Sequence, residues 1–545
     1  MKPLTLEEVI TALQGAPDRP IPVASVSRVV TDSRAVRPGD LFVAVKGERF
    51  DGHDFVNEVF AGGALAAVVR NDFERVLPEG PAEAPDGVLV RVDDTTAALG
   101  RLALYYRRSV IAGPARVVAV TGSVGKTTVK EMIAHVLAGR WKGSASPKSY
   151  NNSIGVPLTL LGVEPSDSFV VCEVGMNAPG EIAALARLIE PELAVLTTVV
   201  ECHLEKLGTL ERVADEKLSL LRFLKPGGAV VVNYDCELLK RRLEKDREYR
   251  KIKRVSFGQS AEADLRLTDL RPLSESAAGF SPGGAVASRA FHRPGDETET
   301  GEQSDKESGK AAQGGPGFAF TINDRFAYRL NVPGRHNVFN ALAAIGVGRW
   351  FGMDHDEIAA RLATFTLPAM RLQVEHIGRW TVINDAYNAN PASLAAAVDV
   401  LLDMPARGRR VLIVGDMREL GATAEELHRR SAERIGRAGL DLVIAVGDFA
   451  RLMARTISEA SGGRTATHSC ASAAAARRRV RGLLKPGDTV LVKASRALGL
   501  EKLVEALRRT PVPARPRPAK AKRAAQRPQA RPGGSRFRKD ARTHR

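Results

Sequence analysis

Cysteine is scarce: this chain of 545 residues has four, Cys172, Cys202, Cys236 and Cys470. They are widely spaced with no C-x-x-C pair, too few to form a disulfide framework at this length, and a reducing compartment fits. Long apolar runs are also missing. None approaches the ~18 residues of a membrane span, and the first residues hold one lysine and no apolar leader region. A soluble, cytoplasmic protein is expected, with no transmembrane segment. Acid is nearly absent from residues 511 to 545, where twelve Lys or Arg face Asp540 alone. That tail supplies +11 of the total charge of +17, so the remaining body is only mildly basic. Residues 272 to 317 have almost no large apolar side chains and are rich in Ser, Gly, Glu and Ala, which cannot offset the entropy of ordering. They read as a flexible insertion.

What remains is 44% hydrophobic and long enough for several cores, about three at roughly 100 to 200 residues per domain. The stretch Thr121-Gly122-Ser123-Val124-Gly125-Lys126-Thr127-Thr128 follows the apolar run Val117 to Val120. It opens a segment in which Val129, Met132, Ile133, Val136 and Leu137 recur at helical spacing, up to a stop at Gly139. Strand, glycine loop and helix in that order turn backbone N–H groups toward one point, where a lysine and a hydroxyl can hold nucleotide phosphates and Mg²⁺. The full pattern G-x-x-x-x-G-K-[ST] would need glycine at Val120, so only its second half is present.

Around this loop the chain alternates. Residues 1 to 112 carry short apolar runs, such as Leu41 to Val45 and Val88 to Val92, and read as a small α/β domain. From residue 113 to 368, Phe169 to Val174, Ala194 to Val199 and Ala229 to Asn233 are strand-like with helices between them, which argues for a mainly parallel, nucleotide-binding sheet. The apolar helix from Asn340 to Trp350 is entered through Gly334-Arg335-His336-Asn337. Residues 369 to 510 repeat the alternation, with strands near Val382-Ile383, Val411 to Val414, Leu442 to Val446 and Thr489 to Val492, as in a second, Rossmann-like domain. The tail from 511 to 545 is expected to be disordered, a solvating segment or a weak contact for acidic partners such as anionic lipid or nucleic acid.

Open α/β sheets place ligands at the C-terminal ends of their strands. Glu173 ends one strand and His203 follows another. Oxygen donors suit Mg²⁺, so Thr127 and Glu173 fit one ion, whereas an imidazole is a less usual ligand for it. In the last third, Asn384 to Pro391 follows a strand, and Asp416, Lys493, Ser495 and Arg496 follow others. Such polar strand ends suggest a cleft facing the nucleotide domain, although Asn, Asp and Pro also make ordinary strand-ending turns.

At these residues the sequence resembles the Mur ligase family, ATP-dependent enzymes that extend the muramoyl peptide precursor of bacterial cell wall. The resemblance runs from about Thr31 to Val504. It is carried by Thr31-Asp32-Ser33-Arg34, Pro38 to Phe42, Asp51-Gly52-His53 and the loop, then by Asn151-Asn152 with Gly155-Val156-Pro157, Glu173, His203 and Lys217. Gly334 to Asn340, Arg371, Asp385 to Pro391, Gly415-Asp416-Met417 with Glu419-Leu420-Gly421, and Lys493 to Arg496 complete it. The relative that adds the third residue typically has Asp-Asn-Pro-Arg where this chain has Asp416-Met417-Arg418-Glu419, and it lacks the Asp385 to Pro391 stretch. Both segments favour the member that adds D-alanyl-D-alanine to UDP-N-acetylmuramoyl-tripeptide. Two departures touch the second metal: Val199-Val200-Glu201-Cys202 precedes His203 where the family often has Asn-Ile-Gly, and Glu216-Lys217-Leu218-Ser219 keeps the lysine of Ala-Lys-Gly-Glu but loses its glutamate.

The resemblance implies residue roles. Lys126 and the loop residues Gly122, Ser123, Val124, Gly125 and Thr128 would hold the phosphates of ATP. Thr127 and Glu173 would bind a first Mg²⁺ and His203 a second, joined by Lys217 as a carbamate. Asn337, Asn340 and Asp385 would contact adenosine, and Arg371 the phosphates or ribose. Ser33 and Arg34 lie in the family's uridine-nucleotide region, and Asn151 and Asn152 near the muramoyl peptide. A monomer is expected. The competing readings are the ligase that adds the third amino acid and, from charge and loop alone, a basic nucleic-acid-binding NTPase.

Overall fold

Strand side chains alternate between sheet faces, and in Val117 to Val120 both sets are apolar. Val117 and Ala119 enter one core while Val118 and Val120 enter another. A strand of this kind belongs in mid-sheet with helices on both sides. In the computed structural model, which describes residues 1–47, 50–75, 87–113, 115–273 and 316–509, strand Arg116–Thr121 lies there, parallel to Phe169–Glu173 on one side and Leu193–Leu196 on the other.

The whole sheet has nine strands, ordered Phe326–Leu330, Phe318–Ile322, Leu265–Pro272, Lys253–Gly258, Ala229–Asn233, Leu193–Leu196, Arg116–Thr121, Phe169–Glu173 and Gly143–Ala145. The chain moves to opposite sides of Arg116–Thr121 as it proceeds, so the loop after this strand sits where the strand order reverses. Helices Lys126–Leu137 and His336–Phe351 share the core that takes Val118 and Val120.

Lys253–Gly258 and Leu265–Pro272 extend the parallel part, and Phe318–Ile322 and Phe326–Leu330 then add two antiparallel strands. The sequence carries no clear strand signal in these segments. Lys253, Arg254 and Arg266 dilute the apolar signal there, and pairing with neighbours supplies the order that composition does not suggest. Of the expected insertion at 272 to 317, residues 274 to 315 lie outside the described residues, as does the basic tail at 511 to 545. At the insertion's ends, Pro272 pairs with Phe318 and the Leu273 N–H donates to the Gly317 carbonyl at 2.9 Å, so strand order persists into the stretch read as unstructured.

The N-terminal region holds a five-stranded sheet, ordered Ala16–Pro17, Val88–Val92, Ala66–Arg70, Leu41–Val43 and Val29–Val30, with only its Ala16–Pro17 edge antiparallel. The C-terminal sheet has six strands, ordered Gln373–Ile377, Trp380–Asp385, Thr489–Lys493, Arg410–Gly415, Leu442–Val446 and Ala466–Cys470. All but Gln373–Ile377 are parallel, and an apolar core covers each face. Among the described residues no helix is long and apolar enough to cross a membrane.

The N-terminal and central regions meet at helix Thr95–Tyr106, which contributes Leu99, Leu102 and Tyr106 to a core continuous with Val117 and Val170. Arg107, at its end, is fully buried. Its guanidinium donates to the Ile189 and Glu190 carbonyls, both at 2.8 Å, and to Glu192 at 2.7 Å. Removing a buried, hydrogen-bonded cation strands its partners, so Arg107→Ala is expected to destabilise the fold by about 3 kcal/mol. Thermal unfolding measures it; an unshifted melting temperature would show that the clamp contributes nothing.

Candidate functional site

The loop is held open from below. Gly122 has φ 154° and Gly125 φ 86°, backbone that side chains rarely adopt. A Cβ on Gly122 would lie 1.9 Å from Thr197 Oγ1, and one on Gly125 would lie 2.7 Å from Asn340 Oδ1. The loop is also tied to the chain after the next strand. Thr197 Oγ1 donates to the Val124 carbonyl at 2.6 Å, and Ser123 exchanges hydrogen bonds with the Val200 backbone at 3.0 Å. Lys126 begins the helix and curls back, donating to the Gly122 carbonyl at 2.8 Å. Burial lowers the pKa of its ammonium, opposed chiefly by Glu173.

Glu173 is buried at the end of its strand. Oε1 accepts from Asn151 Nδ2 at 2.9 Å, while Oε2 is buried without a hydrogen-bond partner. Lys130 Nζ lies 4.0 Å away, itself fully buried and donating to the Ser146 and Lys148 carbonyls at 2.6 and 2.5 Å. Lys130 was missed in the sequence; its position four residues after Lys126, on the same helix face, is the signal that could have found it. A buried carboxylate oxygen without a partner, close to the Thr127 hydroxyl's loop, suits a hard cation.

The C-terminal domain closes the other side. Arg371 Nη2 donates to Thr127 Oγ1 at 2.8 Å, and its guanidinium lies 4.3 Å from the centre of the Tyr387 ring. Met370 and Leu372 on either side have φ 60° and 50°, a conformation side chains tolerate poorly and that cavities often retain. Asp385 accepts the Leu372 N–H at 3.2 Å and pairs with buried Lys493 at 2.5 Å. Asn340 donates to Asn337 at 2.9 Å, and Asn337 to the Pro333 carbonyl at 2.7 Å. Burial pushes His336 down to about 4, so this imidazole is neutral at physiological pH.

These groups surround a cavity of about 670 Å³ between the two domains. Ser123 to Thr128, Asn151, Asn152, Glu173, His203, Asn337, Asn340, Arg371 and Asp385 line it, with Lys493, Tyr387, Arg418, Glu419 and Arg496. Gly122, in the loop itself, does not line it. Ser33 and Arg34 are not brought to the cavity. They sit in a 3-10 turn, Ser33–Ala35, where exposed Arg34 pairs with Asp32. Lys217 does not line it either. It is 2% exposed on helix Leu210–Leu218, makes no side-chain hydrogen bond or ion pair among the described residues, and is pushed down to about 7, first by burial and then by the Lys126 charge.

Two expectations change. Asp416 does not face the cleft: it is buried, accepting the Asp448 and Phe449 N–H groups at 2.8 and 3.1 Å. Ser495 likewise serves the backbone, accepting the Arg418 N–H at 2.9 Å. His203 meets Glu419 of the C-terminal domain, Nδ1 to Oε2, at 2.6 Å, and this contact holds the Glu419 carboxyl below its usual range. Both residues have left-handed backbone, φ 53° and 66°. No cluster of three or more His, Cys, Asp or Glu that could hold a metal is present among the described residues.

A phosphate-shaped loop at the reversal of a parallel sheet, with a second α/β domain closed over it, defines a multidomain nucleotide-dependent enzyme. The chain belongs to the Mur ligase family. It matches the Mur ligase family, catalytic domain, over residues 25–107, the Mur ligase middle domain over 120–348, and the Mur ligase, glutamate ligase domain, over 370–496. It is 35% identical to the UDP-N-acetylmuramoyl-tripeptide–D-alanyl-D-alanine ligase of Escherichia coli, covering 89% of this chain and 94% of that protein. The ligase of the same name from Bacillus subtilis is 31% identical, over 89% and 93%. Among solved structures, MurF from Acinetobacter baumannii superposes with a TM-score of 0.75 at 28% identity, covering 94% of this chain and all of that one. MurF from Thermotoga maritima in complex with ADP gives 0.67 at 27%, covering 88% and 97%.

If the loop holds phosphates, filling the space under it must matter. Gly122→Ala is expected to weaken ADP binding about ten-fold or more, since strained backbone of this kind costs ~1–3 kcal/mol. Calorimetric titration reads this out; undiminished affinity would mean that phosphates bind elsewhere.

Proposed function

We propose that this chain adds D-alanyl-D-alanine to UDP-N-acetylmuramoyl-tripeptide, using ATP, in peptidoglycan precursor synthesis. The choice of dipeptide and acceptor rests on the relatives of that name, which match nearly the whole chain. The activation chemistry rests on the buried Glu173 Oε2, which has no hydrogen-bond partner.

The tripeptide's terminal carboxylate oxygen attacks the γ-phosphorus of ATP, the bond to the β-phosphate oxygen breaks, and ADP leaves. The dipeptide's neutral amine then attacks the acyl carbon, a C–N bond forms, the C–O bond to phosphate breaks, and the amine's proton is released. Phosphoryl transfer of this kind depends on positioning and on offsetting charge. Lys126 turns from the Gly122 carbonyl to the β and γ phosphates, joined by the amides of Ser123 to Thr128. Arg371 leaves Thr127 for the phosphate or ribose, and Asn337, Asn340 and Asp385 take the adenosine. Asn151 orients Glu173 and, with Asn152, borders the muramoyl peptide. Thr127 and Glu173 would hold Mg²⁺, which would supply positive charge against the phosphates. Closure of the C-terminal domain excludes water, which would otherwise hydrolyse the acyl phosphate.

Lys217 fits a carbamate. Its amine, with a pKa of about 7, is substantially neutral near neutral pH and has no competing partner. CO₂ adds to the neutral nitrogen, a C–N bond forms and the nitrogen releases a proton, giving an anionic oxygen donor that would hold a second ion together with His203; for that, His203 must leave Glu419. Ser33 and Arg34 remain the proposed uridine-nucleotide contacts, reached by the substrate's far end.

The direct test supplies UDP-N-acetylmuramoyl-tripeptide, ATP, Mg²⁺ and D-alanyl-D-alanine and follows ADP and pentapeptide. Turnover only with a free diamino acid and the dipeptide precursor would overturn the assignment. Lys217→Ala should lower turnover about 100-fold or more, with no recovery in bicarbonate. Because the neutral amine predominates above its pKa, the ¹³C carbamate signal of protein in labelled bicarbonate should grow from pH 6 to pH 8. Full activity of the variant, or no signal at pH 8, would refute the carbamate.

A further inference from the structure

Strands of the C-terminal sheet end at the cavity, so the helices that return from it finish at the opposite edge. Two of them, Ala473–Leu483 and Glu501–Arg508, pack together, with Arg481 donating to the Ala506 carbonyl at 2.7 Å. Their inward faces are apolar: Ala476, Val480, Leu503, Val504 and Leu507 are buried in one core. Their outward faces are cationic. Arg477, Arg478, Arg479, Arg481, Lys485 and Arg509 are exposed, and none forms an ion pair among the described residues. The span from 473 to 509 holds three acids, of which Asp488 is paired to Arg409 and Glu501 to Arg496, leaving Glu505.

Two neighbouring turns add to the same edge. The Gly487 N–H donates to the Arg379 carbonyl at 2.8 Å, and a Cβ on Gly408 would lie 2.8 Å from the Gly487 carbonyl carbon. Exposed Arg379 and Arg407 therefore sit beside Lys485. Cations in a helix's last turn are favourable against its dipole, but that accounts for one or two of these and not for a face assembled from two helices and two turns. Beyond Arg509 the sequence continues with twelve more Lys or Arg against Asp540.

We infer that this face is a docking surface for an anionic lipid bilayer, held by charge. Neither helix carries an aromatic residue, so the base-stacking platform typical of single-stranded nucleic-acid binders is missing. Clusters of four to eight exposed Lys or Arg on one face are the pattern that anionic headgroups attract. The surface lies away from the cavity, so an enzyme docked by it keeps its substrate entrance free.

The test is sedimentation of the full chain with vesicles of phosphatidylcholine containing phosphatidylglycerol, against vesicles of phosphatidylcholine alone. Binding to the first and not the second is expected, falling steeply as salt rises. The charge reversal R477E/R478E/R479E, with the tail intact, should bind about 100-fold more weakly, since each surface cation contributes roughly a five-fold factor. Its ATP-dependent turnover should stay unchanged, which also shows that it is folded. Equal binding to both vesicles, undiminished binding of the variant, or tighter binding to a DNA duplex at equal phosphate concentration would each overturn the proposal.

Discussion

The cavity is organised around one unbalanced piece of electrostatics. Lys130 and Lys217 are buried and Lys126 begins the helix after the loop, yet buried Glu173 has one oxygen with no hydrogen-bond partner, 4.0 Å from Lys130, which itself pairs with Glu131 at 2.7 Å. Burying an ammonium is unfavourable, and the lowered pKa values of Lys126 and Lys217 reflect it. The fold sustains this positive charge by giving Lys126 and Lys130 backbone carbonyls and Lys130 the Glu131 carboxylate. A site built this way is completed by polyanions and by cations that carry oxygen ligands, the two halves of a metal nucleotide.

Charged side chains also join the two domains. Arg371 reaches from the C-terminal domain to Thr127, and Glu419 reaches to His203. Close behind, a Cβ at Gly421 would lie 2.7 Å from Glu205 Cα, so the two backbones are in contact. Each side-chain contact uses a group that also has a proposed role toward ligand. In those proposed roles, nucleotide and metal would compete with the contacts that hold the domains together, and binding would be coupled to domain position through these groups.

Much of this was legible in the sequence because it is local. The loop announces itself by glycine, lysine and threonine between an apolar run and a helical period, and strands such as Ala229–Asn233 and Leu442–Val446 coincide with their apolar stretches. What depended on distant partners was not legible. That His203 meets Glu419, 216 positions later, could be seen only once the chain was folded. Asp416 resembles the acids that face the cleft, and only the Asp448 and Phe449 amides show that it turns inward. Charges dilute the apolar signal of strands Lys253–Gly258 and Leu265–Pro272, and with Phe318–Ile322 and Phe326–Leu330 these strands find their order in one another.

The Pro272–Phe318 pairing has a further consequence. The chain leaves the sheet at Leu273 and re-enters at Gly317, two residues joined by a hydrogen bond. For the rest of the fold the length between them is almost immaterial, since each doubling of a closed loop costs only about 0.6 kcal/mol. This hairpin is therefore a natural splice point, where a foreign domain whose own ends lie close together could be carried without disturbing the sheet that presents the phosphate loop.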